Sequence, residues 1–70
     1  MVEKTIELTG TSANSIEDAV NLAISRAAVT IESIRFIRVL DVIGIVENNA
    51  VSQWRVKIAL SFNIEDRLHE

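Results

Sequence analysis

The sequence contains no cysteine, no proline, two glycines, one tryptophan and two phenylalanines in 70 residues. Without cysteine there is neither a disulfide nor a thiolate metal site. One histidine, His69, stands next to the last residue, so no histidine pair can build a zinc site. A Ser-His-acid triad would have to use that terminal side chain. There is no glycine-rich phosphate loop, no Gly-x-Ser-x-Gly elbow and no His-Glu-x-x-His, and no enzymatic activity is expected. A basic excess is also missing. The net charge of −3 argues against a nucleic-acid partner. No apolar run approaches the roughly 18 residues of a membrane span, and Met1-Val2-Glu3-Lys4 lacks the basic-then-apolar order of a signal peptide. A soluble cytoplasmic protein without a membrane partner is the expectation. The acids Glu65, Asp66 and Glu70 lack the alternating oxygen-ligand spacing of a calcium loop and read as a solvated tail.

What is present is apolar. Hydrophobic residues make up 49% of the chain, although a domain this short buries only about 60% of the surface its unfolded form exposes. Small scaffolds need a disulfide, a metal or partner subunits, and here only the last remains. A single domain over residues 1–70 that forms a homo-oligomer follows.

The periodicity changes along the chain. From Val2 to Leu8 it alternates, with Lys4, Ile6 and Leu8 on one face and Glu3, Thr5 and Glu7 on the other, as in a half-buried strand. Thr9-Gly10-Thr11-Ser12 then reads as a turn cluster. A helix is predicted from Ser15, with Asp18 completing a weak capping box. Its apolar stripe runs through Ile16, Ala19, Val20, Ala23, Ala27 and Ile31, and its alanines allow close approach to a sheet. Ile34 to Ile45 is rich in β-branched residues and prefers extended geometry. Val51 to Ile64 alternates most cleanly: Trp54, Val56, Ile58, Leu60, Phe62 and Ile64 point one way, Gln53, Arg55, Lys57, Ala59, Ser61 and Asn63 the other. Between these runs, Glu47-Asn48-Asn49-Ala50 suits a hairpin, because asparagine tolerates positive φ.

The order β-α-β-β gives an α+β fold. The crossover helix makes the second strand parallel to the first. The third strand, placed in the middle, yields a three-stranded antiparallel sheet with the helix on one face. Burying Ile37 and Val39 puts Phe36, Arg38 and Leu40 on the other face, beside Arg55 and Lys57, with Glu3, Thr5 and Glu7 from the first strand. That outer face has two readings: a surface of cross-strand ion pairs covered by a neighbouring subunit, or a ligand pocket with an aromatic platform and charged edges. Trp54 belongs to the apolar row and reads as a core or subunit contact.

Several motifs resemble the dodecin family: Gly10-Thr11-Ser12 after a first strand, Ile24-Ser25-Arg26-Ala27 with Thr30 just beyond, and the closing Ala59-Leu60-Ser61-Phe62. The likeness runs from about Val2 to about Asp66. It implies a sheet wrapped around one helix, twelve copies forming a hollow sphere, and the storage of a flavin such as riboflavin, lumichrome or FMN. In typical members a second-strand tryptophan stacks on the flavin ring and a third-strand glutamine holds its polar edge. Here Phe36 takes the tryptophan's place and Arg55 the glutamine's, while Asp41 matches the acid that contacts the ribityl chain. Arg38, Lys57 and Glu7 would edge the pocket. Phenylalanine offers a smaller, less electron-rich face than indole, and arginine only donates where glutamine also accepts. An anionic ligand, or a protein carboxylate such as Glu7 paired with Arg55, would answer that charge. The run Trp54-Arg55-Val56-Lys57 resembles a branch lacking the stacking tryptophan, one line of which is described as calcium-binding. A calcium-binding or purely structural role is the alternative it implies.

Overall fold

The computed structural model describes residues 2–64 and contains β1 (Val2–Ser12), α1 (Ile16–Ala27), β2 (Ile34–Glu47) and β3 (Ala50–Ile64). The three strands form one antiparallel sheet in the order β1-β3-β2, the topology that the pattern of periods predicts. His69 and the acids Glu65, Asp66 and Glu70 lie outside the described residues.

β1 does not stop at Thr9. It pairs with β3 without interruption from Val2 opposite Ile64 to Ser12 opposite Trp54. The supposed turn cluster holds two β-branched threonines, which favour extended geometry, and its glycine serves another purpose. A side-chain carbon on Gly10 would fall against the carbonyl oxygen of Ala19 and stand 3.2 Å from the Ala23 methyl. Gly10 therefore lets the helix settle onto the strand rather than letting the strand turn.

The start of α1 follows the sequence closely. Ser15 is the N-cap in extended geometry, and its hydroxyl accepts the Asp18 backbone N–H at 2.9 Å, satisfying one orphan donor of the first turn. The Asp18 carboxylate in turn accepts the Ser12 hydroxyl at 2.6 Å, tying the end of β1 to the first turn of α1. The helix ends at Ala27, so Ile31 lies beyond it; its N–H still reaches the Ala27 carbonyl at 3.0 Å. Ile16, expected on the buried stripe, is instead exposed.

The core is thin. Ala19 and Ala23 rest on Val56 and Ile58, with Leu8, Val20, Ile24 and Ile37 around them. A helix of 12 residues covers about 18 Å, whereas β3 runs for 15 residues, or about 50 Å. Most of β2 is consequently bare: Val39, Val42 and Val46 are exposed together with Val51 at the start of β3. Val39 was expected in the core; it lies on the helix side of the sheet but beyond the reach of the helix. The radius of gyration is 15.0 Å, against about 11 Å for a compact chain of this length. Surface of this kind calls for a neighbour.

The β2–β3 hairpin closes through Asn48 and Asn49, with φ of 54° and 63°, as a two-residue turn with both central residues left-handed requires. Pairing of β2 with β3 shifts register between Ile34 and Phe36, between Val39 and Asp41, and between Ile45 and Val46. The middle shift matters most. Val39 pairs with Ile58 and Asp41 with Lys57, leaving Leu40 as the extra residue of a bulge. Strict alternation would send Asp41 to the helix side, and the bulge brings it to the outer face. Leu40, expected to alternate outward with Phe36 and Arg38, is the residue that breaks the alternation.

Candidate functional site

The outer face is a set of cross-strand rows, each read from β1 through β3 to β2. Thr5, Ser61 and Phe36 make one row, and Glu7, Ala59 and Arg38 the next. Beyond the bulge come Thr9, Lys57 and Asp41, and then Thr11, Arg55 and Ile43. All six candidates, Phe36, Asp41, Arg55, Arg38, Lys57 and Glu7, thus share one face. They do not share one pocket.

A cavity of about 220 Å³ opens over the first two rows, lined by Glu3, Thr5, Phe36, Arg38, Ala59 and Ser61. Phe36 is 48% exposed and supplies an aromatic wall. Ala59, between Arg38 and Glu7, is small enough to leave the floor open. Beneath Phe36, the Thr5 and Ser61 hydroxyls lie 2.9 Å apart in a hydrogen bond, and Ser61 is buried. Alternation alone placed Glu3, Thr5, Ala59 and Ser61 outward. That they gather around Phe36 and Arg38 depends on the β1–β3 register, which a single sequence does not display.

Lys57 and Glu7 meet diagonally across the strands, Nζ to Oε1 at 3.4 Å, both about half exposed. Glu7 therefore answers Lys57 rather than Arg55. Among the described residues Arg38, Asp41 and Arg55 form no ion pair. Arg55 sits six residues along β3 from Ser61, about 20 Å from the Phe36 row. Asp41, opposite Lys57, is about 13 Å from it.

On the other face Trp54 is half-buried, as its apolar row predicts. Its ring lies over Gly44, where an added carbon would stand 3.1 Å from Trp54 Cζ3. A larger opening of about 520 Å³ between β1 and α1, lined by Leu22, Arg26 and Val29 among others, holds none of the candidates. Among the described residues no three His, Cys, Asp or Glu side chains gather as a metal site, and no helix is long and apolar enough to cross a membrane.

A β-α-β-β chain with a helix on one face of its antiparallel sheet and an aromatic-walled cavity on the other defines a class of small α+β proteins. The chain belongs to the dodecin family, whose model matches residues 2–65. It is 29% identical over 65 residues to a dodecin of Thermus thermophilus, covering 93% of this chain and 94% of that one. Among solved structures, the dodecin of Streptomyces coelicolor is similar with a TM-score of 0.87 and 31% identity, over 93% of each chain. A calcium-chelating antigen of Mycobacterium tuberculosis, a calcium dodecin, is similar with a TM-score of 0.80 and 30% identity over 100% of both chains.

Proposed function

We propose that this chain is the subunit of a homo-dodecameric cytoplasmic shell that binds and stores a small aromatic ligand, a flavin foremost, without catalysing a reaction. The observation that carries the reading is the cavity walled by Phe36 on the outer sheet face. An exposed aromatic ring beside a guanidinium and two hydroxyls suits a planar conjugated ligand with polar edges.

Two further observations support it. The bare valines of β2 and β3 need cover that one helix cannot give, which favours assembly. Similarity to the Thermus thermophilus dodecin rises from 29% to 31% identity in a variant of that protein in which a tryptophan is replaced by phenylalanine. That is the rise expected when one more position matches in a chain this long, and it agrees with Phe36 standing where that relative has tryptophan.

The spacing of the rows supports a division of roles among the remaining candidates. A ligand stacked on Phe36 and extending a polar tail along the face would reach Asp41. Arg55, about 20 Å away on the same chain, would meet that ligand only from a second copy.

Riboflavin, lumichrome and FMN titrated into the assembled protein, followed by flavin fluorescence, test the reading. Quenching that saturates supports it, and preference for FMN identifies a guanidinium at the phosphate. Unchanged fluorescence with all three sinks the flavin store.

Calcium is the second reading, favoured by full-length similarity to the calcium dodecin. Isothermal titration with calcium decides it: heat that saturates at a fixed stoichiometry supports a site, and dilution heat alone removes it.

A further inference from the structure

A groove runs between α1 and the open edge of β1, on the helix side of the sheet. Leu22 and Arg26 stand four residues apart on one side of α1, and Val29 continues that side just past the helix end. Opposite them is β1, an edge strand, whose outward backbone N–H and C=O groups have no partner in the sheet. Ala23 and Ala27 are buried and give the groove a floor of methyl groups.

Two cavities open along this groove. One, of about 520 Å³, lies between Leu22, Ser25 and Val29 and the stretch of β1 around Gly10. The other, of about 320 Å³, is walled by Ile6, Leu8, Ala27 and Ile31. Arg26 lines both, so it stands between a more polar end and an apolar one. It is also the one charged residue among the described residues that line either cavity. Among the described residues it forms no ion pair.

These features define a ligand. A planar guanidinium donates two parallel N–H bonds to a carboxylate. A single cation balances a monoanion, whereas the dianion of a phosphate monoester would keep a charge unanswered. The apolar wall beside the cation suits an alkyl chain, which gains by leaving water. We infer that this groove is a second binding site, one that takes an alkyl carboxylate with its head group on Arg26 and its chain along Ile6, Leu8, Ala27 and Ile31. None of the residues around the Phe36 cavity lines the groove, so the site does not depend on the flavin reading.

Isothermal titration of the assembled protein at pH 8 with hexanoate, octanoate, 1-octanol and octyl phosphate tests it. Octanoate should bind about fourfold more tightly than hexanoate, the gain of two half-buried methylenes. It should bind several-fold more tightly than 1-octanol, which lacks the charge, and at least as tightly as octyl phosphate. Arg26→Gln should weaken octanoate several-fold and leave 1-octanol as it was, and Arg26→Lys should keep part of the affinity. Arg26 is exposed, so both variants should retain the native fold by circular dichroism. The ranking of ligands on the native protein stands whatever the variants do. Octanoate no tighter than hexanoate or 1-octanol, a preference for octyl phosphate, or Arg26→Gln binding octanoate like the native protein would each overturn the inference. So would the absence of any octanoate binding; if Arg26→Gln then also breaks up the particle in light scattering, the groove belongs to a neighbouring subunit. A protein that binds octanoate but no flavin loses the flavin store and keeps this site.

Discussion

Gly10 of β1 lies directly beneath the carbonyl of Ala19 in α1, with no room between them for a methyl group. The obstructing atom is backbone, so a side chain at position 10 must push the whole helix outward. Gly10→Ala should cost about 2–3 kcal/mol by overpacking, seen as a fall of roughly 10 °C or more in melting temperature. Gly44→Ala is the control. It meets the ring edge of Trp54 at 3.1 Å, a half-buried side chain rather than backbone, and should cost under about 1 kcal/mol. Equal losses for the two would contradict this account of the helix–sheet contact.

Asn48 and Asn49 both occupy the left-handed region. Asn49→Ala should destabilise by about 1 kcal/mol, because an L side chain without a local hydrogen bond is strained there. Asn49→Gly should be neutral or stabilising. Chemical denaturation of the two variants side by side checks the order.

The Lys57–Glu7 pair spans two half-exposed side chains, so water screens it. Lys57→Gln should change stability by less than about 1 kcal/mol. A loss of several kcal/mol would mean that the pair is buried in the assembly by another subunit.

Val42 lies on the helix side of β2, uncovered within the subunit. Val42→Lys should shift the particle to smaller mass in light scattering at neutral pH, since a charge at a covered apolar position resists burial. A native protein that runs as a monomer or dimer would refute the assembly itself.

Phe36 is the aromatic wall of the cavity. Phe36→Trp should tighten riboflavin binding through the larger, more electron-rich indole, and Phe36→Ala should weaken it about tenfold or more. Affinities that do not move with either change would place the ligand elsewhere on the molecule.

Much of this was legible in the sequence because it depends on local patterns. The alternation of Val56, Ile58 and Leu60 fixed which face of β3 is buried. The Ser15 cap and the alanine stripe fixed where the helix begins and which side it presents. Paired asparagines marked the hairpin, and the surplus of apolar residues over interior called for partner subunits. Each of these rests on a residue's own preference or on its neighbours within one or two turns.

The tertiary structure decided what depends on register and close approach. Thr9-Gly10-Thr11-Ser12 looks like a turn by composition, yet extends as strand because β3 supplies hydrogen-bond partners and the helix needs Gly10 bare. Asp41 reaches the outer face only through the Leu40 bulge, which alternation cannot foresee. Pairing of Thr5 with Ser61 and of Ser61 with Phe36 gathers Glu3, Thr5 and Ser61 around the aromatic wall, while the length of β3 separates Arg55 from it. A sequence specifies which side a strand residue faces. How far along the sheet it stands from its functional partners is set by inter-strand hydrogen bonds, and those form only when the whole chain is folded.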